Sequence, residues 1–279
     1  MSLHQLGYPP LPADTARAAQ AAFRQDNPYL LLGDQLDTLL AGIDLAGLDP
    51  EGENALPTLR LLALVTTFQY KENLPDWQAA DAARTRLDWK YALHLPLNHP
   101  GLNPFSLCVF RCPLLRQKDR RPVFQNLLDG IQAAGFSLSS GEGISLQAQA
   151  VLLAVCRVSR LERIAGAMNQ ALEALAAYKP DLLRLILLPH WYRRYEHSGS
   201  ITAFPMDPSE QERLALTFAA DGYHLLTNLR ELEASSLQYL PEINTLAREW
   251  KSQFKLKWGR IYWRPLGIIP CDRRDDFGY

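Results

Sequence analysis

Apolar residues recur three and four positions apart along most of this chain, and that spacing predicts helices. Leu59, Leu61, Leu62, Leu64, Val65 and Phe68 wrap most of the circumference of a helix from Pro57 to about Tyr70. Apolarity on all sides marks a central helix buried by its neighbours. Pro57 suits its first turn, where no backbone N–H is needed. Trp77, Ala80 and Ala83 form the apolar stripe of the next helix, and Asn73 and Asp76, placed around Pro75, signal its start. A short Ala-rich helix is predicted around Thr15–Phe23, and two more over Phe105–Leu115 and Val123–Ala134. The last of these carries Phe124, Leu127, Leu128 and Ile131 on one face and has Gly135 at its C-cap.

The pattern changes after Gly135. Ser137 to Gly143 reads as the clearest flexible stretch and divides a helical domain, 1–136, from a second region, 144–279. From Ile144 to Cys156 the even positions are apolar or small, a period of two that permits a strand, which the resemblance described below would place over Leu146–Leu152. The Ala content also allows a helix continuing beyond Cys156. Leu161, Ile164, Ala165, Met168, Leu172 and Leu175 trace an amphipathic helix, and Pro180 starts another that includes Trp191. Asp207-Pro208-Ser209-Glu210 places an acceptor at the cap, Pro next and Glu in the first turn, so a helix or helix pair runs on to about Leu232. A last helix near Pro241–Phe254 leads into the aromatic piece Ile261-Tyr262-Trp263. The fold class read from the pattern is mainly α, with one or two short strands.

Composition narrows the function classes. With 47% hydrophobic residues the 279-residue chain can bury a core, and its longest apolar runs are broken by Arg60, Arg157 or Arg184. No membrane span or leader is expected, and a cytoplasmic setting is. Net charge is −1, so affinity for nucleic acid must come from local patches. Cys108 and Cys112 share a helix face, but no second Cys pair or His pair completes a zinc site, and all four cysteines are expected as free thiols.

Several segments carry a resemblance. Leu59-Arg60-Leu61-Leu62-Ala63-Leu64-Val65, Arg84-Thr85-Arg86-Leu87-Asp88-Trp89-Lys90-Tyr91-Ala92-Leu93, Phe105-Ser106-Leu107 and Phe110-Arg111 occur in that order. Together they resemble the N-terminal helical region of bacterial insertion-sequence transposases. The likeness extends from about Asn27 to Trp263 and includes Arg160-Leu161-Glu162 and His190-Trp191-Tyr192-Arg193-Arg194-Tyr195. It implies an RNase H-like catalytic domain with an Asp-Asp-Glu metal site, interrupted by a helical insertion. It also implies that the first region engages transposon-end DNA. Where the family has its first Asp, on a strand, this chain has Gln147, followed by Ala148, Gln149 and Ala150. The second Asp and the Glu would be expected beyond Tyr279. A neutral amide neither offsets the charge of two metal ions nor bridges them, so no catalytic residue, metal or cofactor is expected.

The remaining signal is basic. Arg111, Arg116, Lys118, Arg120 and Arg121 fall close together, and Arg84, Arg86 and Lys90 form a second group one helix earlier. A helix-turn-helix-like pairing of Pro75–Thr85 with Phe105–Leu115 would set Ser106 and Arg111 nearest to double-stranded DNA. Five phosphate contacts from the first group would give a slope of log K against log salt of about −4 to −5. The competing reading is a solvated face whose arginines pair with Asp81, Asp88 and Asp129. A further basic set, Arg248, Lys251, Lys255, Lys257, Arg260 and Arg264, is interleaved with Trp250, Trp258, Tyr262 and Trp263, a mixture that suits phosphates and stacked bases. A second function reading is an interaction module, in which the amphipathic helices at 160–177 and 208–232 mediate self-association or hold an intact transposase. His190 and His197 are read as part of a polar, aromatic surface helix.

Overall fold

The computed structural model describes residues 9–49, 52, 54–138, 146–195, 204–231, 237 and 240–266. The chain divides into two compact units, Met1–Val155 and Cys156–Tyr279. It is mainly helical, as the pattern predicts.

Unit 1 contains α1 (Ala13–Ala22), α2 (Pro28–Ala41), α3 (Leu56–Glu72), α4 (Asp76–Thr85), α5 (Leu87–Ala92), α6 (Pro104–Arg116) and α7 (Arg121–Ala133). Short 3-10 turns at Leu45–Leu48 and Lys118–Arg120 join them. The central helix is α3, as expected: Leu59, Leu62, Ala63, Leu64, Val65 and Phe68 are all buried. Phe68 lies 5.0 Å from Tyr29 and 5.2 Å from Trp89, both edge-on, and Phe136 closes the cluster 5.1 Å from Tyr29. Each such side chain contributes about 1.5–3 kcal/mol relative to exposure.

The helix ends follow local chemistry. Asn27 caps α2 by accepting from the Tyr29 and Leu30 N–H groups. Asn73, expected to open α4, instead closes α3: it takes a left-handed φ of 54°, and the Leu74 N–H returns to the Gln69 carbonyl. Gly135 closes α7 at φ 84°, with the Phe136 N–H bonded to the Ile131 carbonyl.

The strand expected over Leu146–Leu152 is a helix. Helix α8 runs from Ala148 to Tyr178, and Ala148, Val151, Leu152, Val155 and Val158 are buried at helical spacing. The period of two seen in the sequence arose from alanines, which fit either face, whereas the burial follows a period of 3.6. Gln147 therefore precedes a helix and lies on no strand.

Unit 2 contains most of α8, then α9 (Pro180–Ile186), α10 (Pro189–Tyr195), α11 (Pro208–Glu231) and α12 (Pro241–Gln253). Its core gathers Leu161, Ile164, Met168 and Leu175 of α8, Trp191 of α10, and Phe218 and Leu225 of α11. The strands are β1 (Phe254–Lys257) and β2 (Arg260–Trp263), an antiparallel pair and the only sheet among the described residues. No described helix is long and apolar enough to cross a membrane. Cys108 and Cys156 form no disulfide, but Cys112 is disulfide-bonded, against expectation. Pairing depends on which sulfurs the fold brings together, and spacing alone does not encode that.

Candidate nucleic-acid interface

Of the basic residues expected to face DNA, Lys90, Arg111 and Arg120 are buried within unit 1 and Arg86 and Arg121 are half-buried. Arg111 is 1% exposed and donates to Gln69 Oε1 at 3.0 Å and to both Asp76 oxygens at 2.6 and 2.7 Å. Its helix, α6, does pack against α4, but the arginine points between the two as their buried tie. Arg86 clamps Glu72 and Asp88, and its guanidinium lies 5.1 Å over the Trp89 ring. Burial alone would lower the Arg86 pKa, but the hydrogen bonds to Asp88 and Glu72 outweigh it and raise it. Lys90 is buried with its Nζ on the Leu97 carbonyl, and burial followed by the nearby Arg84 charge lowers its pKa.

Arg120 is buried and reaches the Leu48 carbonyl at 3.5 Å. Arg121 is half-buried and donates to the Leu114 and Leu115 carbonyls and to Gln149 Oε1. Ser106 is half-buried in the first turn of α6. Arg84 is exposed but paired with Asp81 on its own helix. Arg116 and Lys118 are exposed, Arg116 as the last residue of α6 and Lys118 in the 3-10 turn after it. Pairing of Arg84 with Asp81 and Arg86 with Asp88 matches the competing reading, while Asp129 accepts from Gln125.

The second basic set behaves differently. In the β1–β2 hairpin, Lys257 pairs with Arg260 across a two-residue turn, Trp258-Gly259, with φ of 51° and 72°. Positive φ at both positions is the signature of a type I′ turn, whose twist matches that of the strands. Register then sorts the side chains, because cross-strand partners share a face. Phe254, Leu256, Ile261 and Trp263 fall on one face; Phe254 is 1% exposed, and Ile261 and Trp263 pack on the unit 2 core. Lys255, Lys257, Arg260 and Tyr262 fall on the other, and all four are exposed.

None of these three cations makes an ion pair among the described residues. Lys255 lies 5.7 Å over the Tyr262 ring, and Lys257 lies 4.0 Å over the Trp258 ring. Trp258 itself is 83% exposed, the most exposed large apolar side chain described. The hairpin's root is fastened to α8: Arg160 donates to the Arg264 carbonyl at 2.9 Å, Arg264 donates to the Phe254 carbonyl, and the Arg160 guanidinium sits 4.4 Å over Trp263. Burial, then the neighbouring Arg163, pulls the Arg160 pKa down to about 9, so it stays charged at neutral pH.

Unit 2 also has an open groove of about 690 Å³, lined by His190, Arg194, Ser209, Arg213 and Asp221. Asp221 is buried and accepts from Arg194 and from Tyr195 Oη at 2.8 Å, and His190 Nε2 stands 3.6 Å from its other oxygen. Burial, then the Asp221 charge, raises the Tyr195 pKa above its ordinary value. Of the two hydroxyls in the groove's lining, Ser209 donates to the Asp207 carboxylate at the N-terminus of α11 and Thr217 donates to the Arg213 carbonyl. Both hydroxyls are thus engaged within α11 and its cap, and His190 stands exposed beside the Asp221 carboxylate.

No family model, curated protein or solved structure compared with this chain matches it. Among the described residues no cluster of His, Cys, Asp or Glu is placed to hold a metal ion. Glu142, His197 and the group Asp272, Asp275 and Asp276 lie outside the described residues.

The Glu72 and Asp221 networks were invisible to sequence reasoning, because their members are far apart in the chain. The hairpin did leave a signal. Around Trp258-Gly259 the sequence mirrors itself, with charge or aromatic at Lys255, Lys257, Arg260 and Tyr262 and apolar residues between.

Proposed function

We propose that this chain is a DNA-holding protein of the insertion-sequence transposase type, and that the solvent face of the β1–β2 hairpin is its main contact. One observation carries the reading: Lys255, Lys257 and Arg260 share a face with Tyr262, and no carboxylate among the described residues pairs with them. On a protein of net charge −1 such a patch is a local positive field open to an external anion. A row of phosphates with neighbouring bases matches both its charge and its aromatic content. Arg116 and Lys118, exposed at the end of α6, add a second contact in the helix-turn-helix-like reading of α4 and α6. Holding without cutting rests on the sequence resemblance alone, since Gln147 precedes α8 and is not on the strand that would carry a catalytic Asp.

A salt series of gel shifts on a 20-base-pair duplex tests it. Three phosphate contacts give a slope of log K against log salt of about −3. Changing Lys255, Lys257 and Arg260 together to Ala should abolish most binding, evenly across sequences. No binding at low salt, or binding untouched by that triple change, sinks the proposal.

A second reading, association with another copy or with an intact transposase, draws on one observation. Tyr178, Leu185 and Tyr192 are 65%, 80% and 63% exposed on α8, α9 and α10. The apolar faces of α8 and α11, expected to mediate association, are buried in the core of unit 2. Sedimentation decides: a monomer at all concentrations removes this reading.

A further inference from the structure

The hairpin's tip has no role in phosphate contact alone, and the role assigned to it below depends on the hairpin being a DNA contact. Trp258 occupies the first position of the turn with a φ of 51°. That left-handed conformation is easy for Gly or Asn and unfavourable for a bulky side chain. The adjacent position is filled by Gly259, which meets the same demand at no steric cost. The chain thus places its largest side chain where the backbone tolerates it least, and then leaves it 83% exposed. Neither choice stabilises the fold. Backbone outliers of this kind, held by the surrounding structure, point to a use for the side chain they display.

The surroundings indicate which use. Lys257 Nζ lies 4.0 Å from the Trp258 ring centroid, over one face, and no ring contact among the described residues covers the other. On the strand behind it, Lys255, Arg260 and Tyr262 continue the same basic and aromatic face. The root is held by Arg160 and Gln253, which limits how far the tip swings when it is loaded. A flat π-face flanked by cations and carried on an anchored β-ribbon matches a nucleobase with its phosphate. Inside an intact duplex every base face is already stacked, so the ring has a partner only where a base is unpaired or a step is opened.

We propose that Trp258 stacks on an unpaired base, so that the hairpin selects DNA with opened, frayed or single-stranded positions over uninterrupted duplex. Lys255, Lys257 and Arg260 hold the flanking phosphates, and Tyr262 supplies a second stacking surface one step along.

The test compares a 20-base-pair blunt duplex with the same duplex carrying a five-nucleotide single-stranded overhang, using fluorescence anisotropy at fixed salt. The full chain should bind the overhanging form roughly five- to a hundredfold more tightly, the range one stacked base supplies. Trp258→Asn keeps a residue that accepts the left-handed turn and removes the ring. It should bind both forms equally, at the affinity wild type has for the blunt duplex. Trp258→Phe should retain part of the preference, and the tryptophan emission quenched by the overhanging DNA in wild type should be missing in that variant.

Equal wild-type affinity for the two duplexes, or a preference that survives Trp258→Asn, overturns the stacking role while leaving the hairpin as a phosphate contact. Failure to bind either duplex overturns the DNA reading itself. Quenching by phosphatidylserine vesicles and not by DNA would assign the tip to a lipid surface and overturn both.

Discussion

Arg160 and Gln253 hold each other's backbone. The Gln253 side-chain amide donates to the Arg160 carbonyl at 3.1 Å, and the Arg160 guanidinium reaches the Gln253 carbonyl at 3.5 Å. Both are buried, and between them they tie α8 to the residue where α12 becomes β1. Gln253→Ala removes this bond while the Arg160 carbonyl keeps its place in the α8 ladder, which costs about 0.5–1.5 kcal/mol. Hydrogen exchange should show the amides of β1 and β2 losing protection before those of α11. Unchanged exchange in the hairpin would mean that the strands hold themselves.

Arg111 predicts an effect on stability and none on recognition. It is sealed between Asp76 and Gln69, so Arg111→Ala leaves the Asp76 carboxylate without its cation in a largely buried place. Removing one member of such a pair costs about 3–5 kcal/mol. Urea denaturation of unit 1 should shift accordingly, while the protein that remains folded binds DNA as wild type does. A variant of normal stability and weakened binding would place Arg111 at the interface after all.

Alkaline pH should weaken both units. Burial, then Glu72, raises the Tyr29 pKa, and burial, then Asp221, raises that of Tyr195. A folded-state pKa above the ordinary value of 10.0 means that both phenols stay protonated while their unfolded counterparts ionise. Their contribution is therefore complete below about pH 10 and is lost as pH rises further. Melting temperatures taken from pH 8 to pH 11 should fall at the upper end, and Tyr29→Phe with Tyr195→Phe should flatten that fall. An equal fall in the double variant would trace it to other groups.

Gly33 is required by packing. A Cβ there would meet the Tyr91 ring at 2.7 Å and the Tyr91 carbonyl at 3.1 Å. Tyr91 cannot retreat freely, because its hydroxyl is bonded to Asp34 at 2.6 Å. Gly33→Ala should cost about 1–3 kcal/mol as overpacking, read from thermal melts. A neutral result would show that α5 can shift away from α2.

The helices of this protein were legible because their apolar spacing and end signals are local. Asp207 caps α11 through the Ser209 and Glu210 N–H groups, Gly135 closes α7, and α3 is buried on all sides, each as the pattern implies. The strand expected at Leu146–Leu152 failed because alanine alternates without preferring a face. Helices α2 and α5 left weaker signals, since Pro28–Ala41 is apolar on several sides and Leu87–Ala92 is barely more than one turn.

The sequence by itself determined that the chain is helical, where most helices begin and end, and that its positive charge is local. Only the tertiary structure decided which cations are free. Arg86, Lys90, Arg111 and Arg120 look in the sequence like Lys255, Lys257 and Arg260, yet the first is half-buried and the other three are buried, all against carboxylates or carbonyls that the fold supplies. Burial forces a charge to find a carboxylate or carbonyl, and for Arg111 and Arg120 those partners lie tens of residues away. The hairpin cations, on a strand face exposed to solvent, keep their charge for water or for a ligand.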